Sequence, residues 1–326
     1  MEQRLSDFNI DLKFMRRALL LASYGEGRVA PNPLVGAVIV DRDNRIIGEG
    51  FHARYGGPHA EVNAINSVKP EDIIKLPDST VYVTLEPCAH YGKTPPCANL
   101  IVETGIRRVV IASPDPNPLV AGKGVHILRN AGIEVIEGVM QSEADELNRR
   151  FMARFHNGRP WIQLKWAMSA DEFMAIYDEE GKLSPVTFSS PLSKVWMHRE
   201  RSGSQTIMVG STTERIDSPR LDNRLWGGNS PRKISCGKSL DPHDLVSRLK
   251  EEGVGSLMIE GGPTLLQSFI SAGLYDEIRI ERAPFVLGSG LKAPQLPPDL
   301  YLHSLDICRR NTIATYFRIF PTRNNL

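Results

Sequence analysis

His59, Glu61, Cys88 and Cys97 are the side chains of this sequence best equipped to do chemistry together. One imidazole and two thiolates form a zinc ligand set that leaves the fourth position for water. Zinc lowers the pKa of such a water towards neutrality, which makes a hydroxide available to attack a ring carbon bearing an amino group. Glu61, two residues after the His, is placed to take the water's proton and return it to the departing ammonia without binding metal itself. His-Ala-Glu followed by Pro-Cys and a second Cys therefore implies hydrolytic deamination.

The plainer alternative is a structural zinc, which normally closes its shell with a fourth protein ligand. His90 is the nearest candidate; Asn99 and Lys93 share its neighbourhood but are poorer ligands. The surrounding sequence favours catalysis. Thr80–Leu85 reads as a buried strand, β-branched and aromatic, that runs directly into Glu86-Pro87-Cys88. Ala98–Thr104 reads as a helix closed by Gly105, and Glu61–Ser67 as another entered at Pro58-His59. Helix starts present positive dipole ends, which favour thiolate over thiol.

The elements that must carry these residues alternate. Leu12, Met15, Leu19 and Ala22 recur at helical spacing; Gly36–Val40 and Ile46–Gly50 read as a hairpin. A strand at Arg108–Ala112, a helix at Val125–Ala131 and a strand at Ile133–Ile136 follow. This is an α/β pattern of helices layered on a mixed sheet. Gln141–Arg154 reads as one helical connector, and Gly158-Arg159-Pro160 breaks the chain. The sequence thus divides into domains 1–150 and 160–326, with a linker at about 149–160.

A chain of 326 residues is long enough for two domains with cores of their own. A net charge of +1 leaves no polyanion footprint, which argues against nucleic acid as a partner. Four cysteines, two of them assigned to metal, fit a reducing compartment better than a disulfide framework. The opening residues lack a signal-peptide pattern and no long apolar run suggests a membrane span, so the expectation is a cytoplasmic protein.

Nucleobase deaminases usually space their two cysteines three apart, whereas eight residues separate Cys88 from Cys97. That insert, with Pro31-Asn32-Pro33-Leu34-Val35-Gly36 and Asp115-Pro116-Asn117-Pro118, resembles the RibD family of riboflavin-biosynthesis deaminase–reductases from about Phe14 to Met152. The resemblance implies a cytidine-deaminase-like three-layer sandwich followed by a dihydrofolate-reductase-like domain. It further implies deamination of 2,5-diamino-6-(ribosylamino)-4(3H)-pyrimidinone 5′-phosphate, then reduction of the ribosyl group to ribityl with NADPH. Asn32 and His52 become candidate substrate contacts in the first domain. Lys93 and Thr94, within the insert, suit the phosphate.

In the second half, Trp161–Ala167, Ile207–Thr213 and Leu257–Leu265 match strands of the reductase domain, the latter two running into small-residue turns. By the same resemblance Lys165, Arg201, Leu221, Arg224 and Glu260 are candidates for substrate. Thr213, Asp217 and the turn Gly262-Pro263-Thr264 are candidates for NADPH, since amides at a helix start favour phosphate. The chain departs from the family pattern at Glu172, where a glycine is usual, and at Thr187, where a Trp commonly lies near the nicotinamide. Gln205-Thr206 replaces an Asp-Ala pair, and the segment between Arg224 and Asp241 is short, so the reductase domain is a shortened one. Three readings follow: a bifunctional enzyme, a deaminase whose second domain only binds or oligomerises, and a zinc-stabilised binding protein without turnover. The resemblance also raises the expectation of a homo-oligomer.

Overall fold

Alternation builds the first half of the chain. Residues 2–90, 95–118, 120–235 and 240–319 are described by a computed structural model, which divides between His156 and Asn157 into two units. In β1 (Gly36–Val40), β3 (Thr80–Leu85) and β4 (Arg108–Ser113) nearly every residue is buried, as strands covered on both faces require. Successive side chains point to opposite faces. Ala37, Ile39, Val81, Val83, Val109 and Ile111 therefore join a core with Ala64, Ile101 and Leu128, carried by α2 (Ala60–Asn66), α3 (Cys97–Glu103) and α4 (Lys123–Asn130). Val38, Val40, Tyr82, Val110 and Ala112 join a second core with Phe14, Met15 and Ala144, carried by α1 (Glu2–Ser23) and α5 (Gln141–Leu147). The result is helix, sheet, helix.

The sheet order is β2-β1-β3-β4-β5, with β2 at Ile46–Phe51 and β5 at Glu134–Glu137. β1 runs antiparallel to both β2 and β3, while β3, β4 and β5 are parallel. The register pairs Gly36 with Phe51, Ala37 with Val83, and Leu85 with Ser113. The start of β1 and the ends of β2, β3 and β4 thus share one edge of the sheet, and the loops from that edge carry Asn32, His52, Glu86 and Cys88.

The single connector helix expected at Gln141–Arg154 is two helices, α5 and α6 (Arg149–His156). They part at Asn148, whose side chain accepts from the Leu34 amide at 2.7 Å and donates to the Leu34 carbonyl at 2.9 Å. This tertiary bond pins the segment before β1.

The second unit is a seven-stranded sheet in the order β10-β9-β11-β6-β12-β15-β14. Its strands are β6 (Trp161–Met168), β9 (Thr206–Val209), β10 (Arg232–Ser235), β11 (Ser256–Glu260), β12 (Glu277–Arg282), β14 (Leu300–Cys308) and β15 (Asn311–Arg318). The first five in the spatial order are parallel, and β15 and β14 add antiparallel strands. A small sheet of β7 (Phe173–Tyr177), β8 (Leu183–Pro185) and β13 (Leu291–Lys292) lies within the same unit. Ile162, Leu164, Trp166, Leu257, Ile259, Ile278 and Ile280 face a core closed by α9 (Pro242–Glu251) and α10 (Pro263–Ser271).

Gln163, Lys165, Met258, Glu260, Glu277, Arg279 and Glu281 alternate with those core residues, so they project from the opposite face. The short segment after Arg224 supplies β10, which forms the edge of the sheet beside β9. Glu172 takes a left-handed backbone, φ +69°, the conformation that a glycine would adopt without strain. Among the described residues no helix is long and apolar enough to cross a membrane.

Candidate active sites

His59 immediately precedes α2, Cys97 opens α3, and Cys88 lies three residues beyond the end of β3. His59 Nδ1 is 3.5 Å from Cys88 Sγ and 3.4 Å from Cys97 Sγ, and all three ligand atoms lie within 4.8 Å of one another. Tetrahedral zinc, with Zn–S of about 2.3 Å and Zn–N of about 2.0 Å, separates its ligand atoms by about 3.5 Å. The trio fits the metal. Among the described residues no further His, Cys, Asp or Glu joins it, and His90 is exposed outside it.

The backbone N–H of Cys97 donates to Cys88 Sγ at 3.3 Å. Contact between the two thiol groups is the main cause that lowers Cys88 and raises Cys97, and the backbone bond adds to the lowering of Cys88. Glu61, the second residue of α2, is buried beside them, and that burial pushes its carboxyl up to about 7. A group poised there can exchange a proton at neutral pH.

His52 follows β2 and is buried. Its Nδ1 lies 2.9 Å from the Pro58 carbonyl, which accepts only if that nitrogen carries the proton. Nε2 is then the acceptor for Asn32 Nδ2 at 3.1 Å, which fixes the orientation of the Asn32 amide. Burial lowers the His52 pKa and so keeps the ring in this neutral form. The His52 ring stands edge-on to His59 with centroids 5.7 Å apart, so the relay from Pro58 to Asn32 lies against the metal trio. Lys93 and Thr94 lie outside the described residues.

In the second unit a cavity of about 640 Å³ brings together Thr213, Asp217, Gly262, Pro263 and Thr264. Gly262 has φ +72°, and a Cβ there would press to 3.3 Å from Thr213 Oγ1. Backbone freedom and close approach both call for glycine at the mouth of α10. Asp217 is partly desolvated, which raises its carboxyl.

Beside this cavity, Lys165 and Glu260 line a small polar pocket with Glu200, Arg279 and Glu281. The register sets Glu260, Lys165 and Arg279 side by side across three parallel strands. Burial lowers the Lys165 pKa. Burial alone would raise Glu260, but the Arg201 guanidinium outweighs it and holds that carboxyl below its ordinary value. Arg201 reaches in from α7 (Pro191–Ser202) and also donates through Nη1 to the Asp222 carbonyl at 3.0 Å. Leu221, the residue before, is buried at φ +54°, and Arg224 is exposed and ion-paired with Asp222.

The profile of the "Cytidine and deoxycytidylate deaminase zinc-binding region" matches residues 9–113. That of the "RibD C-terminal domain" matches in two pieces, 160–242 and 232–312. The Riboflavin biosynthesis protein RibD of Actinobacillus pleuropneumoniae is 36% identical over 370 aligned positions, 95% of this chain and 96% of that protein. The chain belongs to the RibD family. The RibD of Escherichia coli (strain K12) is 34% identical, over 86% of this chain and 89% of its own. The crystal structure of a diaminohydroxyphosphoribosylaminopyrimidine deaminase/5-amino-6-(5-phosphoribosylamino)uracil reductase from Thermotoga maritima superposes with a TM-score of 0.85 at 32% identity. It spans 96% of this chain and 99% of that one.

As a member of this family, the chain is a bifunctional enzyme of riboflavin biosynthesis, with a zinc-dependent deaminase domain and an NADPH-dependent reductase domain. The two RibD C-terminal matches overlap at residues 232–242, the region where the segment after Arg224 is short.

Sequence reasoning did not single out Glu86 as a functional residue. Buried at the end of β3, it accepts from the amides of Gly122 (3.0 Å), Gly124 (2.9 Å), Val125 (3.3 Å) and Asp115 (3.3 Å). It thereby ties the entry of α4 to the strand that delivers Cys88. A Cβ on Gly124 would fall 2.0 Å from the Pro87 carbonyl oxygen, so only glycine fits there. The Gly122-Lys123-Gly124 run was the available signal. Arg279 and Glu281, which line the polar pocket, and Phe188, which lines the larger cavity, were likewise not singled out, because their neighbours there are distant in sequence.

Proposed function

We propose that the first unit hydrolyses the amino group from 2,5-diamino-6-(ribosylamino)-4(3H)-pyrimidinone 5′-phosphate. The second unit then reduces the ribosyl group of the resulting uracil to ribityl with NADPH. The observation that carries the first step is a buried Glu61 carboxyl beside a His59, Cys88 and Cys97 trio at zinc spacing.

Zinc held by those three side chains supplies the Lewis acidity that brings a water's pKa towards 7. Glu61 takes a proton from the attacking water and delivers it to the leaving nitrogen. One C–N bond is exchanged for a C–O bond, and the amino group departs as ammonia. Asn32, its amide turned by His52, orients the substrate, and Lys93 with Thr94 meets the phosphate. The enzyme works on a small phosphorylated metabolite in the cytoplasm.

In the second unit NADPH supplies the hydride. Thr213, Asp217 and the Gly262-Pro263-Thr264 turn hold that cofactor. Lys165, Glu260, Arg224 and the Leu221 turn hold the sugar phosphate, and Arg201 holds Glu260 and the Leu221–Asp222 backbone in place. The chain order supports this arrangement: Gly261, which lines the cavity, directly follows Glu260 of the polar cluster.

The test is coupled. Zinc-loaded protein given the diaminopyrimidinone ribosyl phosphate releases ammonia and consumes NADPH in equal amounts. Ammonia without loss of NADPH overturns the reductase half, and no ammonia overturns the deaminase half.

A further inference from the structure

We propose that Phe188 is the aromatic wall on which the nicotinamide ring of the reductase cofactor rests; this depends on the reductase reading above. Thr187 stands where the family resemblance expects a Trp, and its side chain is exposed. The next residue, Phe188, lines the 640 Å³ cavity and is the one aromatic side chain among the described residues that do.

Phe188 is braced from two directions. Phe285 stacks with its ring, with centroids 5.7 Å apart and planes 8° from parallel. The Phe188 carbonyl accepts from Asn311 Nδ2 at 3.0 Å, and the same nitrogen donates to Glu281 Oε1 at 2.6 Å. Ser189 Oγ donates to the other oxygen of Glu281 at 2.5 Å. Asn311 and Glu281 are both buried, so the chain at Phe188 and Ser189 is anchored by groups that solvent cannot compete for.

That brace also sets where along the cavity the ring stands. Glu281 is paired in register with Ala167 of β6, which lines the cavity two residues beyond Lys165. Phe188 is therefore anchored near the Lys165–Glu260 cluster proposed to face the sugar. Gly262-Pro263-Thr264 and Thr213 offer amides and hydroxyls to the phosphates elsewhere in the same cavity. A dinucleotide with its phosphates on that turn and its redox ring beside Lys165 presents a flat aromatic face to Phe188, and aromatic pairs favour offset stacking.

The test is equilibrium binding to the full-length protein of NADPH and of 2′-phospho-ADP-ribose, which lacks only the nicotinamide. Phe188→Ala is expected to weaken NADPH about tenfold, the upper range for one aromatic stack, and to leave 2′-phospho-ADP-ribose within about twofold. Phe188→Trp is expected to restore NADPH binding. Equal weakening of both ligands, or no change in NADPH binding, overturns the role of Phe188 and leaves the reductase reading standing. A wild-type protein that binds neither ligand overturns that reading and Phe188 with it.

Discussion

Arg201 clasps Glu260 through Nε at 2.8 Å and Nη2 at 2.7 Å, and both side chains are buried. Two residues that resemblance places among the substrate contacts thus hold each other first. A buried pair of this kind contributes little net stability, yet removing one partner strands an uncompensated charge. Arg201→Met should therefore destabilise the second unit by about 3 kcal/mol, and Arg201→Met/Glu260→Leu should recover much of that loss. All four tryptophans lie in this unit, so urea unfolding followed by Trp fluorescence reads it selectively. A double variant as unstable as the single one would refute the coupling.

Glu61→Gln keeps the shape of the side chain and removes its proton chemistry. Ammonia release should fall by about 10²- to 10⁴-fold, the usual contribution of a general acid–base group. Bound zinc should stay near the wild-type amount. Stripping the metal with a chelator should abolish ammonia release while NADPH binding persists. If Glu61→Gln loses zinc together with activity, the carboxylate supports the metal site rather than the reaction.

Glu86 gathers four backbone amides on one buried carboxylate. Glu86→Ala leaves those donors without an acceptor and should lower the stability of the first unit by about 3 kcal/mol. The same change loosens the strand end that presents Cys88, so zinc should dissociate more readily. Calorimetry with and without zinc would read both effects. Unaltered zinc affinity would confine Glu86 to holding α4.

What could be read in advance followed from local chemistry. The β3 strand was legible at Thr80–Leu85 because β-branched and aromatic residues run to a Pro boundary, and the ligands follow from residue type alone. The division of 141–154 into α5 and α6 was not, because its cause is Leu34, 114 residues away. Glu86 was equally opaque, since its meaning depends on amides up to 39 residues later. Lys165 alternates out of the core as its strand pattern implied, but α7 places Met197 Sδ 3.3 Å from its ammonium. That face is a covered polar pocket, which alternation alone does not show. Tertiary partners, not propensity, decided each of these.

Glu172 occupies a left-handed turn at φ +69° between β6 and β7. A non-glycine residue in that conformation carries a penalty of about 1–2 kcal/mol. Its compensating ion pair with Arg282, at 3.3 Å, is solvent-exposed and contributes under about 1 kcal/mol. Glu172→Gly should therefore raise the stability of the second unit by roughly 0.5–1 kcal/mol, measurable by the same Trp fluorescence. A loss of stability would mean that the Arg282 contact outweighs the strain.

Asp171, in the same turn, gives a pH signature with a definite sign. Its carboxylate accepts from Ser169 Oγ at 2.6 Å, from the Leu287 amide at 3.0 Å and from the Gly288 amide at 2.7 Å. The Ser169 bond is the largest cause that holds the group down at about 2. An unfolded Asp titrates near about 3.9. Because the folded value is the lower one, the stabilisation is complete above the unfolded value and is lost as pH falls from about 4 towards 2. Wild type should therefore melt above Asp171→Asn at neutral pH, and the gap should close across that acid window. A gap that stays constant with pH would mean that the shape of the side chain, and not its charge, holds the Leu287–Gly288 amides.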